Sequence, residues 1–182
     1  MSKERKKQYI HMMIAIVGVI LLTVVDQWTK RIAFHNLKGK PDLSLIPGWF
    51  SLHYLENRGA AFGIFQDKQI FFYIITAIVL LFLFLIYWKF PNQKRYLPLR
   101  ITFIFLMAGA IGNFIDRIVY HYVVDFFYLE IIDFPVFNVA DIYVTVSVTA
   151  LILLILFYYK DEELTFFKKK KLGKMNSDQE QE

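Results

Sequence analysis

The chain has 182 residues, 57% hydrophobic and 20% charged, with a net charge of +5 and a mean hydropathy of +0.41. Soluble domains carry about 45–50% apolar residues, so this composition excludes a disordered chain and argues against a single water-soluble domain. The absence of cysteine excludes disulfides, thiolate metal sites, a cysteine nucleophile and lipidation of this chain on Cys. The four histidines, His11, His35, His53 and His121, show no HExxH or paired-ligand spacing, so neither a metal nor a cofactor is expected.

Four blocks free of Asp, Glu, Lys and Arg follow in order: residues 9–25, 70–88, 101–115 and 142–159. Hydrocarbon is ~30 Å thick and a helix rises ~1.5 Å per residue, so about 17–25 residues cross it. The third block is short, but Leu97 and Leu99 extend it and Arg100 can snorkel from its end. Four transmembrane helices are therefore predicted. Fourteen of the 21 Lys and Arg fall in residues 1–11, 89–100 and 160–182, which predicts that these segments and both termini are cytoplasmic. The net positive charge then reflects topology and contact with anionic membrane lipid, and no nucleic-acid partner is expected. Residues 1–25 have the basic start and apolar core of a secretory signal. The core runs into Asp26-Gln27 rather than small residues, so a retained first helix is expected.

Between the spans, residues 26–69 read as a long outer loop punctuated by Gly39, Pro41, Pro47, Gly48, Gly59 and Gly63. Its aromatic, partly alternating stretch at 48–55 predicts one or two short strands. Residues 116–139 form a shorter outer stretch, 89–100 a brief inner loop, and the charged tail follows Lys160. No internal repeat is present.

Polar residues collect at the outer ends of the spans. Asp26 and Lys30 end the first, Asn113, Asp116 and Arg117 the third, Asn138 and Asp141 open the fourth, and Asp125 lies in the outer link. Acids at that depth are costly unless paired, which points to a functional site. Each group also has a plainer explanation. Asp26 and Lys30, at i and i+4, fit a surface ion pair. Asp116-Arg117 would simply end the third helix at the interface. Asn138-Val139-Ala140-Asp141 has the spacing of an N-cap with an acid at N3. Gly109 and Gly112, with Ala108 and Ala110, form a small-residue stripe suited to close helix packing.

Five runs together are more specific: Asp26-Gln27-Trp28-Thr29-Lys30; Asn57-Arg58-Gly59-Ala60-Ala61-Phe62-Gly63; Gly109-Ala110-Ile111-Gly112-Asn113-Phe114-Ile115-Asp116-Arg117; Val123-Val124-Asp125-Phe126; and Phe137-Asn138-Val139-Ala140-Asp141. In that order they resemble the bacterial lipoprotein signal peptidase (signal peptidase II) family over roughly residues 12–160. The resemblance implies an all-α membrane protein, four transmembrane helices with a small extracytoplasmic β-cradle. It implies an intramembrane aspartic endopeptidase that cuts prolipoproteins just before a diacylglyceryl-modified Cys. By motif match Asp125 and Asp141 would be catalytic, Asn57, Asn113, Arg117 and Asn138 substrate-binding, and Asp26, Lys30 and Asp116 supporting. Residues 1–160 would form a single membrane-embedded peptidase domain and 161–182 a charged, disordered cytoplasmic tail. A monomer in the bacterial cytoplasmic membrane is expected, with its active site on the extracytoplasmic side. The chain departs from the family pattern at His121-Tyr122, where a Gly is common, and at Ile142-Tyr143, where a small polar residue often follows the acid.

The residues suit the implied chemistry. Without a metal, a Cys or a serine–base motif, peptide hydrolysis needs one group to deprotonate water and another to protonate the leaving amine. Two carboxylates sharing a proton supply both. Asp141 at a helix N-terminus favours its charged form, so Asp141 is expected as base and Asp125 as acid. A loop such as 48–65 would hold the substrate from above. Ser44 and Ser51 lack a Ser–Lys context, and no Gly-x-Ser-x run is present. The alternative from another class is a small proton-coupled transporter subunit, against which the acids' clustering at one face speaks.

Overall fold

The computed structural model describes residues 2–59 and 68–164. Helix α1 runs Lys3–Leu37, and strands β1 (Leu43–Ile46) and β2 (Phe50–Asn57) form a hairpin. Helix α2 spans Gln69–Trp88 and α3 spans Leu97–Tyr120 after a 3₁₀ turn at Lys94–Tyr96. Strand β3 (Val123–Tyr128), a 3₁₀ turn at Glu130–Ile132 and helix α4 (Val139–Leu153) follow. A π-helical turn, Leu154–Tyr158, prolongs α4, and a short α5 covers Asp161–Leu164. Helices α1, α2, α3 and α4 with their flanking turns are each long and apolar enough to cross a membrane. The expected architecture of four spans and a small sheet is therefore present.

The third span carries the packing. In its most apolar window 44% of residues are buried, against 11–17% in the other three. Helix α3 touches α1, α2 and α4, and its small residues let them come close. A methyl group built on Gly109 would lie 2.5 Å from the Ala140 carbonyl, and one on Gly112 would overlap the Asp26 carboxylate. The small-residue stripe is thus a close-packing face. At the end of the bundle holding the N-terminus, Met12, Ala15, Leu83, Tyr87, Phe90, Leu99, Phe103 and Met107 form the main apolar core. A second cluster, Ala33, Leu37, Val124 and Phe126, lies under the sheet.

The sheet is antiparallel in the order β1-β2-β3. Its hairpin turns at Pro47-Gly48, where Trp49 N–H donates to Ile46 O (2.9 Å) and Gly48 takes φ +74°. That is a type II turn, with Pro and Gly at the positions its dihedral angles favour. Strand β3 pairs with β2 so that Leu55 faces Asp125 and Asn57 faces Val123.

Two departures from the sequence reading matter for the site. The first helix does not stop at Val25 but continues to Leu37, so Asp26 and Lys30 lie within it. The third continues past Asp116-Arg117 to Tyr120, where His121 caps it in the left-handed region at φ 62°. Of the tail beyond Lys160, Asp161–Leu164 is helical and Glu163 pairs with Arg95 (2.9 Å); the remainder lies outside the described residues. So do residues 60–63 of the second motif and residues 60–65 of the loop expected to hold the substrate.

Candidate active site

Asp125 sits on β3 with the first four residues of that strand buried, and is itself 1% exposed. Alternation along a strand puts Asn57 and Asp125 on one face as diagonal neighbours. Asn57 Nδ2 donates to Asp125 Oδ2 (2.8 Å), while Asn57 Oδ1 accepts Gly59 N–H (3.0 Å). Asp141 occupies the first turn of α4 in a complete capping box: its N–H donates to Asn138 Oδ1 (3.0 Å) and its Oδ2 accepts Asn138 N–H (3.1 Å). This satisfies amides that a helix start leaves unpaired. Asn138 links the two acids, because its Nδ2 also donates to Asp125 Oδ1 (2.6 Å).

A buried charge cluster supports both acid-bearing segments. Lys30 Nζ lies 3.0 Å from Asp26 Oδ2 and 3.0 Å from Asp116 Oδ2, and donates to Asn113 Oδ1 (2.9 Å). The Lys30, Asp26 and Asp116 side chains are 3%, 0% and 1% exposed, so the surface-pair reading is overturned. The helix runs on past Asp26, and its packing on α3 encloses the pair. The two carboxylates of this cluster also take backbone donors. Asp26 Oδ1 accepts Ala140 N–H (2.9 Å) and Asp116 Oδ2 accepts Val124 N–H (3.1 Å). Ala140 and Val124 are the residues immediately before Asp141 and Asp125. Asn113 completes the link, donating to Asp141 Oδ1 (2.8 Å) and accepting Asn138 Nδ2 (3.1 Å).

Every residue singled out from the sequence therefore enters one network except Arg117, which borders it. Arg117 is half-buried, donates to Asn113 O (3.3 Å) and Gly59 O (3.4 Å), and lies 4.6 Å from the centre of the Phe72 ring. Asn57, Asn113, Arg117, Asp125 and Asp141 line one cavity of about 460 Å³, closed on its apolar side by Phe134–Phe137 and by Ile142, Thr145 and Val146. Among the described residues, no three His, Cys, Asp or Glu side chains converge as metal ligands.

Burial, helped by the nearby Asp141 charge, pushes the Asp125 carboxyl up to about 7 against the opposing Asn57 and Asn138 amides. Loss of hydration outweighs two hydrogen bonds to the charged form. A cavity that pairs a carboxyl poised near neutrality with a second carboxylate can both give and take a proton.

Gln27 has no role in the sequence reading, yet its Nε2 donates to Asp116 Oδ1 (2.8 Å), Gly112 O (3.1 Å) and Asp26 Oδ2 (3.2 Å). Its position inside the first motif run was the available signal. The apolar lining at Phe134, Pro135 and Val136 was not singled out either.

A model of the family described as signal peptidase (SPase) II matches residues 18–157, a stretch that contains the whole of this network. The chain belongs to the signal peptidase II family. The lipoprotein signal peptidase of Streptococcus thermophilus (strain CNRZ 1066) is 44% identical over 137 residues, covering 75% of this chain and 88% of that one. That of Clostridium tetani (strain Massachusetts / E88) is 42% identical over 141 residues, covering 76% and 89%. Among solved structures, a bacterial membrane enzyme determined by the in meso method at 2.3 Å resolution superposes with a TM-score of 0.71 at 35% identity, over 78% of this chain and 87% of that one. As a signal peptidase II, the chain is a peptidase, a hydrolase, and a multi-pass bacterial membrane protein. Membership sets the transporter alternative aside.

Proposed function

We propose that this peptidase is an aspartic endopeptidase whose dyad is Asp125 and Asp141, and that it cuts diacylglyceryl-modified prolipoproteins just before the lipidated Cys. The observation that carries the reading is that two carboxyls, distant in sequence, border one cavity and are both held by Asn138, whose side chain donates to Asp125 Oδ1 and whose backbone N–H donates to Asp141 Oδ2. In this reading Asp141 starts ionised, as an acceptor of two donors at a helix N-terminus, and takes a proton from the attacking water. Asp125 starts protonated, polarises the scissile carbonyl and delivers its proton to the leaving amine.

Asn138 has both amide N–H groups and its carbonyl engaged, so it positions the acids rather than binding substrate. Arg117, Asn57 and Asn113 border the cavity and supply the donors for the substrate backbone and the developing oxyanion. Asp26, Lys30 and Asp116 support the acids through the backbone contacts described above. Residues 1–160 constitute the peptidase domain, and the chain acts as a monomer. The sheet end faces the extracytoplasmic side and both termini face the cytoplasm, in keeping with the placement of Lys and Arg. There the apolar signal helix of the substrate meets water while its lipid tails stay in the bilayer.

The test is incubation of the purified protein with a diacylglyceryl-modified prolipoprotein, reading the shortened product. Asp125→Asn and Asp141→Asn are each expected to abolish cleavage while inserting and folding normally. Turnover retained by either variant removes that residue from the dyad.

A further inference from the structure

Far from the acids, at the end of the bundle with the N-terminus and the α2–α3 connection, lies a second cavity of about 490 Å³. Lys7, Lys94 and Arg100 line it, with His11, Asn92 and Gln93. Arg100 is 3% exposed. Its Nη2 donates to Phe90 O (2.9 Å) and Pro91 O (3.3 Å), and its guanidinium carbon lies 5.1 Å from the Tyr87 ring centre. Its Nε and Nη1 are buried with no acceptor among the described residues. A buried cation with unmet donors is costly, and a bound anion would repay it. Glu4 already takes Lys7 Nζ (3.3 Å) and Asn92 Nδ2 (3.3 Å), and no acid among the described residues forms an ion pair with Lys94 or Arg100. Helix α3 starts at Leu97 in the same wall, without a side-chain cap, and adds the positive end of its dipole.

An apolar groove of about 540 Å³ continues from this cavity along α1, lined by Ile10, Met13, Ile14, Val17, Gly18 and Leu21. Ile10 belongs to both. From Ile10 to Leu21 the helix rises roughly 16 Å, about half the hydrocarbon thickness. A cationic recess at one end and an apolar channel one leaflet deep match the two parts of a phospholipid.

We infer that the cavity and groove form one binding site for an anionic phospholipid, its phosphate against Arg100 and Lys94 and an acyl chain along α1. A free phosphate ion shares the headgroup chemistry but has nothing to place in the groove. This inference does not depend on the identity of the dyad.

The test titrates the purified full chain, in neutral detergent, with phosphatidylglycerol, phosphatidylcholine or inorganic phosphate, and reads melting temperature and bound lipid by native mass spectrometry. Phosphatidylglycerol is expected to bind at least about tenfold tighter than phosphatidylcholine, with no shift from inorganic phosphate at the same concentration. The Lys7→Gln/Lys94→Gln variant should keep the lipid-free melting temperature and lose about 25-fold in phosphatidylglycerol affinity, since each basic residue at an anionic surface contributes roughly fivefold. Should that variant melt early, Val17→Trp, which fills the groove from its exposed side, carries the test and should also lose the lipid. Equal binding of the two lipids, a phosphate response matching that of phosphatidylglycerol, or undiminished affinity in the variant that carries the test overturns the inference.

Discussion

Asn138 caps α4 and holds both acids of the proposed dyad, donating from its side chain to Asp125 Oδ1 and from its backbone N–H to Asp141 Oδ2. The pH dependence of cleavage should report on the pair. Asp125 must be protonated to act as acid, and its carboxyl is held up to about 7, so kcat/KM should fall as pH rises through that value. The Asn57 amide favours the charged form, so Asn57→Ala should move this alkaline limb upward. A downward shift in a pH-rate profile would contradict the assignment of Asp125 as acid. Lys30 offers a second residue-level test. Lys30→Met leaves Asp26 and Asp116 buried without their shared cation and should cost about 3–5 kcal/mol, read as lost melting temperature in detergent. Adding Asp26→Asn should recover part of that loss, because one of the stranded charges is then gone.

Between elements, the approach of α1 to α3 is set by what is missing at Gly112. Gly112→Ala drives a methyl into the Asp26 carboxylate and should lower stability by about 1–3 kcal/mol and depress kcat as well. Gly18→Ala meets only the end of the Ile104 side chain, at 3.1 Å, and should change both little. Equal effects in thermal melts and turnover assays would mean that helix spacing, rather than the Asp26 clasp, is what matters. Element boundaries were also where the sequence was least legible. Uninterrupted apolar blocks revealed four spans, but that criterion ends α1 at its first charge. Asp26 and Lys30 stay inside because Asp116, far along the chain, completes their pairing. Strand β3 was hidden for a related reason: a buried acid breaks its apolar run, and only pairing with β2 makes it a strand. The capping box needed no distant partner and could be read from four consecutive residues.

For the whole molecule, the charge bias predicts a sidedness that the absence of native cysteine makes simple to measure. Single cysteines at exposed Ser44→Cys in β1 and Gln93→Cys before α3 should respond oppositely to a membrane-impermeant thiol reagent in intact cells. Labelling at 44 and protection at 93 are expected; the reverse pattern would invert the orientation. The nine candidate residues come from five separate segments of chain, and motif order pointed to them without revealing the contacts that join them. Those contacts have a mechanical consequence. Asp26, on one span, grips the peptide group ahead of Asp141, while Asp116, on another, grips the one ahead of Asp125, and Lys30 ties the two grips together. When a thinner or thicker bilayer tilts the spans, this clasp is expected to carry both acids of the proposed dyad along together, insulating their mutual spacing from the mechanics of the surrounding lipid.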